Sequence, residues 1–481
     1  MKKLLANKNI FLITTLIIFF GWYLFHLTEI PIFADEAIYL NWAKRIAIGD
    51  ENIFISMYDG KPPLFMWLSG LASYPIKNLL LAGRLVSVFS LFMASTYIFK
   101  KLKKTTFSWA FLSLVFILGN TFFFFHARLA LLDTLFASLV ILFIFTWSNA
   151  SSIKQSLLSG LFISLAFLTK TPALFLLPLP FFVLTKKRDK ATLVKVATTF
   201  SIFIATLLLL KTSPWFPSLF NRSTDFTFTI TQVLTGQLNH VWPNIKIIFS
   251  WLSFYLTWPI LLFSVLGSIK GFKNKNSLII NLSLASLLLF TPLAILGKMI
   301  ASRYFLALGF TLPILAAYFL SSTPKKYIVV ITAAFLSITI PNNYQFQDNY
   351  FYAILPKEDN QQYFRDWSSG IGLDSVSQFI NQQAKDKKVL VLTEGTFGTL
   401  PDGLFVYQEN KESFSNLEIV GVTSPYSEIY QQVLTSTNTK TIYYVGNHNR
   451  INDQFRQENK MILSYDKKDG GYALEVYEIT Q

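Results

Sequence analysis

The chain has no cysteine, so neither a disulfide framework nor thiolate chemistry is open to it, and cysteine usage says nothing of its compartment. Histidine is nearly as scarce. His26, His126, His240 and His448 are scattered without a His-Glu-x-x-His or comparable ligand spacing, which argues against a dedicated zinc site. Charge is thin as well: 14% of the 481 residues are Asp, Glu, Lys or Arg, against 52% hydrophobic and 16% aromatic. Full dinucleotide and Walker patterns are also missing. Gly370-Ile371-Gly372 and Gly395-Thr396-Phe397-Gly398 read as structural turns rather than phosphate cradles.

What is present is a series of long apolar blocks, the mark of a polytopic α-helical membrane protein. About eleven spans are predicted, near 9–27, 80–99, 107–125, 129–147, 154–169, 172–185, 192–210, 247–269, 277–296, 301–320 and 327–340. The first follows Lys2, Lys3 and Lys8 and is read as an anchor rather than a signal peptide, because no small-residue cleavage site follows it. Basic clusters fall on alternate connections, at Lys100 to Lys104, Lys154, Lys186 to Lys190, Lys270 to Lys275 and Lys325-Lys326. The positive-inside rule makes that side, and the N-terminus, cytoplasmic. Residues 1–341 carry 30 Lys and Arg against 9 Asp and Glu, while 342–481 carry 12 against 18. The net charge of +15 is therefore topological and not a nucleic-acid footprint. Of the acids in the first 341 residues only Asp189 maps to a cytoplasmic loop, so any chemistry is expected to face outward.

Two domains are expected: a membrane domain over 1–341 with a long outer loop at 28–79, and an extracytoplasmic α/β domain over 342–481. Within the outer loop Ala34–Ile48 has helical apolar spacing, and Leu64–Tyr74 is a short interfacial segment. A second outer loop, about 211–246, has the polar and aromatic composition of a lid. In the tail, helices are expected at Asp374–Gln383 and Ser424–Leu434, and strands at Lys388–Leu392, Thr441–Val445 and Tyr472–Ile479.

Asp35 is the best candidate general base, since partial burial raises a carboxylate toward a useful basicity. Asp35 also suits a helix N-cap, with Glu36 in the first turn favoured by the dipole. Asp133 sits inside an apolar span, where an acid must face a cavity or a cation; Arg84, Arg128 and Lys170 are possible ion-pair partners. Lys61 is held rigid by Pro62-Pro63, and Arg303 at a helix end suits bidentate phosphate contact or simple snorkelling.

Ala34-Asp35-Glu36-Ala37, Lys61-Pro62-Pro63-Leu64, Ala127-Arg128-Leu129-Ala130-Leu131-Leu132-Asp133, Leu168-Thr169-Lys170-Thr171-Pro172 and Ser302-Arg303-Tyr304-Phe305-Leu306 occur in that order. Taken together they resemble the bacterial protein-mannosyltransferase-like glycosyltransferases of family 39, a GT-C fold group that includes the lipid A aminoarabinose transferase. The resemblance implies inverting transfer of a sugar from a polyprenyl-phosphate donor, with Asp35 as base, Asp133 near the active site and Lys61 on the donor phosphate. Gly60 stands where that transferase has an acid before the lysine.

The expected activity is thus transfer of a lipid-linked sugar to an acceptor hydroxyl on the extracytoplasmic face of the plasma membrane. Asp35, Glu36 and Asp133 are the candidate catalytic residues; Lys61, Arg303, Arg128, Arg222 and Tyr304 are the candidate substrate contacts. The partners are the polyprenyl-phosphate-sugar, membrane lipids and an acceptor that is a protein, lipid or glycan, with no nucleic acid. No cofactor is required by this reading, and a divalent metal is left open without a ligand pattern to indicate it. The rival reading is a transporter or flippase of a lipid-linked sugar, weakened by the lack of an internal repeat. A non-catalytic anchor leaves Asp35, Lys61 and Asp133 unexplained.

Overall fold

The computed structural model describes residues 8–150, 152–184, 190–236, 238–351, 353–408, 416–436 and 441–479. Lys2, Lys3, Lys186, Lys187, Arg188 and Asp189, which entered the orientation argument, lie outside them. The chain divides into two compact units. One comprises Met1–Phe25, Asn52–Phe65 and Leu85–Asp348; the other comprises His26–Glu51, Met66–Arg84 and Asn349–Gln481.

The first unit is helical. Its sequence contains little besides apolar residues over long stretches, and a helix is the one local structure that satisfies all its own backbone groups in hydrocarbon. The helices are α1 (Lys8–Leu24), then, after α2 (Ala34–Ala47) and α3 (Leu64–Ile76), α4 (Leu79–Leu102), α5 (Phe107–Gly119), α6 (Thr121–His126), α7 (Leu132–Ser148), α8 (Ile153–Thr169), α9 (Lys190–Leu210), α10 (Val241–Leu256), α11 (Trp258–Lys273), α12 (Ser277–Leu296), α13 (Leu308–Leu320) and α14 (Lys325–Asp348). Among the described residues α4, α9, α12 and α14 are each long and apolar enough to cross a membrane, and α10 with α11 makes a further, bent pair. The protein is a multi-pass membrane protein.

The predicted spans near 80–99, 192–210, 277–296 and 327–340 are those four helices. The span near 247–269 is broken: α10 and α11 meet at 104°. Thr257 there has φ 69°, and Pro259 supplies no amide to continue the hydrogen-bond ladder. The span near 107–125 is interrupted at Asn120, whose amide donates to Phe116 O and Ile117 O while its oxygen caps Phe123 N. One side chain both ends α5 and starts α6. The segment near 172–185 is a 3₁₀ turn, Thr171–Leu176, followed by the short helix Leu179–Leu184, and that near 301–320 opens with a 3₁₀ turn, Ser302–Phe305.

The second unit contains α2, the greater part of α3, and a five-stranded sheet ordered β2-β1-β3-β5-β4. Its strands are β1 (Val389–Glu394), β2 (Leu417–Val422), β3 (Thr441–Asn447), β4 (Lys460–Lys467) and β5 (Gly471–Glu478), with β2, β1 and β3 parallel and β5 antiparallel to β3 and β4. Leu390, Leu392, Ile442, Tyr444, Phe455 and Tyr477 form its core. Its helices include α15 (Leu373–Gln383), α16 (Glu428–Ser436) and α17 (Asp453–Glu458). Expected Asp374–Gln383 is α15, and expected Ser424–Leu434 is α16 beginning later, because Ser427 N donates to Ser424 O in a turn that precedes it. The α2 side chains are tied down within this unit: Asn41 donates to Asp402 at 2.6 Å, and Lys44 donates to the carbonyls of Phe405 and Gln408.

Candidate functional site

In the first unit a cavity of about 150 Å³ is lined by Asp59, Lys61, Lys170, Arg222 and Tyr304 together with apolar side chains such as Leu132, Phe136 and Ile300. Each cation arrives there for a local reason. Lys61 follows a 3₁₀ turn (Ile55–Asp59) closed by Gly60 at φ 72°, a conformation that favours glycine. A Cβ at Gly60 would also lie 3.0 Å from Arg222 Cβ. Lys170 caps the C-terminus of α8 in extended backbone, and Pro172 then starts the 3₁₀ turn. Arg222 and Phe226 come from the short helical turns of the 211–246 loop, so part of the predicted lid lines the cavity.

The carboxylates are distributed among these cations. Asp133, in the first turn of α7, lies 2.5 Å from Lys170 Nζ and 3.9 Å from Arg303 Nε. Its partner is therefore Lys170, with Arg303 behind, and of the expected pairings those with Arg84 and Arg128 are not formed. Asp59 lies 2.6 Å from Arg222 Nη1, and Arg222 Nε donates to Asp225 at 2.9 Å. Lys61 Nζ comes no nearer than 4.0 Å to Asp59 and sits 5.1 Å from the Phe226 ring. Tyr304 presents its ring to Lys170 at 4.2 Å and to Arg303 at 5.5 Å. Among the described residues these ion pairs set four cations, Lys61, Lys170, Arg222 and Arg303, against three carboxylates, Asp59, Asp133 and Asp225, one positive charge in excess, and by these distances Lys61 is the cation held least closely.

Arg128 is not brought to this cavity. It is buried, donates to Phe25 O at 2.8 Å and lies over the Phe124 ring. Lys170 and Asp59 are the residues absent from the candidate set. The signal for Lys170 was a lysine closing an apolar helix ahead of Thr-Pro, and an intramembrane charge is a functional candidate by default.

In the second unit Phe33, not Asp35, is the N-cap of α2, and Asp35 is the second helical residue, half-buried. Glu36, one residue on, accepts from Phe33 N at 3.0 Å. It is fully buried in a fork with Arg84, whose Nε and Nη2 donate to Oε1 and Oε2 at 3.0 Å each. Arg84 Nη1 also donates to Leu27 O and Ile30 O. Glu36 is thus the anchor of the turn that presents Asp35.

No protein-family model matches the chain, and no curated protein matches its sequence. Solved structures do. ArnT from Cupriavidus metallidurans bound to undecaprenyl phosphate aligns with a TM-score of 0.62 at 12% identity over 96% of this chain and 97% of that one. The oligosaccharyltransferase of Archaeoglobus fulgidus in complex with Zn and sulfate aligns with a TM-score of 0.55 at 11% identity over 95% of this chain and 72% of that one. The fold is shared with these solved membrane-protein structures. A C-terminal α/β sheet domain follows the helices, as in the ArnT-like arrangement.

Proposed function

We propose that the protein is an inverting glycosyltransferase that moves a sugar from a polyprenyl-phosphate donor to an acceptor hydroxyl on the extracytoplasmic side of the membrane. The observation that carries this reading is a cavity with one cation in excess set among apolar walls, inside a fold shared with glycosyltransferases. A phosphodiester brings one negative charge and an isoprenoid tail, and this lining complements both. Lys61 and Lys170 take the phosphate, with Arg222 and Tyr304 at the cavity wall and Arg303 acting through Asp133. Charge neutralisation at a departing phosphate in a dry site is often the largest catalytic contribution.

Asp35 is the base of this reading. Its carboxylate removes the acceptor hydroxyl proton as the oxygen attacks the anomeric carbon; the carbon–phosphate oxygen bond breaks, and the electron pair leaves with the polyprenyl phosphate. Glu36 and Arg84 hold the turn that carries Asp35, and Asp133 holds Lys170. Purified protein incubated with a polyprenyl-phosphate-sugar and a glycan acceptor mixture should release polyprenyl phosphate in step with sugar transfer. Movement of the intact donor across vesicles without its cleavage would replace this reading with that of a flippase.

A further inference from the structure

We infer that the second unit carries an oxyanion-binding site, separate from the cavity of the first unit, with Arg450 as its principal contact. The sheet order places it. The chain leaves β1 toward β2 on one side and leaves β3 toward β5 and β4 on the other, so the carboxyl ends of β1 and β3 flank the point where the winding reverses. Open α/β sheets bind ligands in the crevice outside such a point. Glu394 ends β1 and Asn447 ends β3, and the turn His448–Arg450 follows directly.

Beneath that crevice lies a buried polar network. Glu394 accepts from Asn447 N at 2.7 Å and from the Asn447 side-chain amide, and Asn447 Oδ1 accepts from Lys467 Nζ, which also donates to Asp366 O at 2.7 Å. Glu394, Asn447 and Lys467 are all buried. Burial pushes the Glu394 carboxyl up and the Lys467 ammonium down to about 8. An apolar set of similar volume is often as stable as such an arrangement or more so, which makes it a functional candidate rather than a packing device.

Arg450 is presented above this network, and among the described residues no hydrogen bond takes up its donors. The turn that carries it is braced on both sides: Arg456 Nη1 donates to His448 O at 2.9 Å and to Ile451 O at 2.8 Å, and His448 Nδ1 meets Glu475 at 2.7 Å. The guanidinium lies 4.4 Å over the Trp367 ring, and a Cβ at Gly398 would stand 3.1 Å from that ring. Arg450 Nη1 is 3.9 Å from Glu394, beyond hydrogen-bond reach, and among the described residues no acceptor takes any of its N–H groups. A planar fork held by stacking, 39% exposed and without a protein acceptor, suits bidentate capture of a carboxylate or phosphate.

The test is titration calorimetry on the purified full chain in detergent with glucuronate, inorganic phosphate and glucose as separate probes. Saturable binding of glucuronate or phosphate is expected, weakened about 10-fold or more in Arg450→Gln, with glucose inert. Glucuronate alone would assign a sugar acid, and phosphate alone a phosphoryl group. The inference is overturned if neither anion binds, if glucose binds as well as glucuronate, or if Arg450→Gln binds as tightly as the parent. Anion binding abolished by Lys61→Ala and kept in Arg450→Gln would overturn it too, by placing the anion in the first unit. Among the described residues Arg450 makes no hydrogen bond and only a 3.9 Å ion pair with Glu394, so its variant should melt close to the parent, and the separate variant Arg450→Lys should recover only part of the affinity.

Discussion

At the scale of single residues, the cation excess of the first-unit cavity makes its members unequal. Lys61, 4.0 Å from the nearest carboxylate, is the side chain with most to gain from an incoming phosphate, whereas Lys170 already has Asp133 at 2.5 Å. Lys61→Ala should weaken polyprenyl-phosphate binding by about 10- to 100-fold, the range of a charge-assisted contact, and Asp133→Asn should weaken it less; equal losses in a detergent binding assay would contradict this ranking. Asp35→Asn should lower turnover at least about 100-fold with donor affinity retained, as befits loss of a general base, and turnover above a tenth of the parent would assign the base elsewhere. Lys467 has a different signature. Its ammonium, lowered from 10.5 to about 8 by burial, is deprotonated in the folded chain over a range where the unfolded chain still binds the proton. Stability therefore rises as pH goes from about 8 toward 10.5, and a melting-midpoint comparison should find that increment missing in Lys467→Met.

At the scale of elements, breaks in helices do as much as the helices. Asn120 divides α5 from α6, Thr257 and Pro259 bend α10 against α11, and the cavity cation Lys170 and Arg303 beside Asp133 belong to the non-α backbone at Lys170–Leu176 and Ser302–Phe305. Irregular backbone at membrane depth is tolerated where it lines a cavity or is buried in protein, which is where these turns lie. The entry to α2 is another such element, held by the fully buried Glu36–Arg84 fork. Removing one partner leaves an uncompensated buried charge, so Arg84→Met should destabilise the protein by about 3–5 kcal/mol, and the double variant with Glu36→Gln should recover part of that loss in thermal melts. Full additivity of the two changes would sink the pairing. The strands also sort by element. The expected β1, β3 and β5 are the central strands, with mostly buried residues, while β2 and β4 are the two edges that sequence reading passed over. Their apolar runs are short, broken by Glu418 in β2 and by Ser464 and Asp466 in β4, and they become strands by pairing with a neighbour.

At the scale of the whole molecule, the proposed orientation puts the basic connections in the cytoplasm and the sheet outside. The absence of cysteine makes this directly testable. A single cysteine replacing exposed Lys104 should resist an impermeant thiol reagent in intact cells, and one replacing exposed Lys385 should react; the opposite pattern would invert the topology. Composition by itself determined that the chain is a multi-pass helical membrane protein with an α/β tail, since apolar length and charge bias are local properties summed along the chain. Local motifs and their order picked out Asp35, Asp133, Lys61 and Arg303 as the residues worth attention, because charge near an apolar block must have a reason. Tertiary structure decided their pairings. It joined Asp133 to Lys170 across 37 positions and Glu36 to Arg84 across 48, moved Arg128 out of the cavity, and drew the outer-loop helix α2 into the unit that holds the sheet. A sequence shows which side chains need a partner, but which partner each one reaches depends on where helices break and how they pack, and that is settled only when the whole chain has folded.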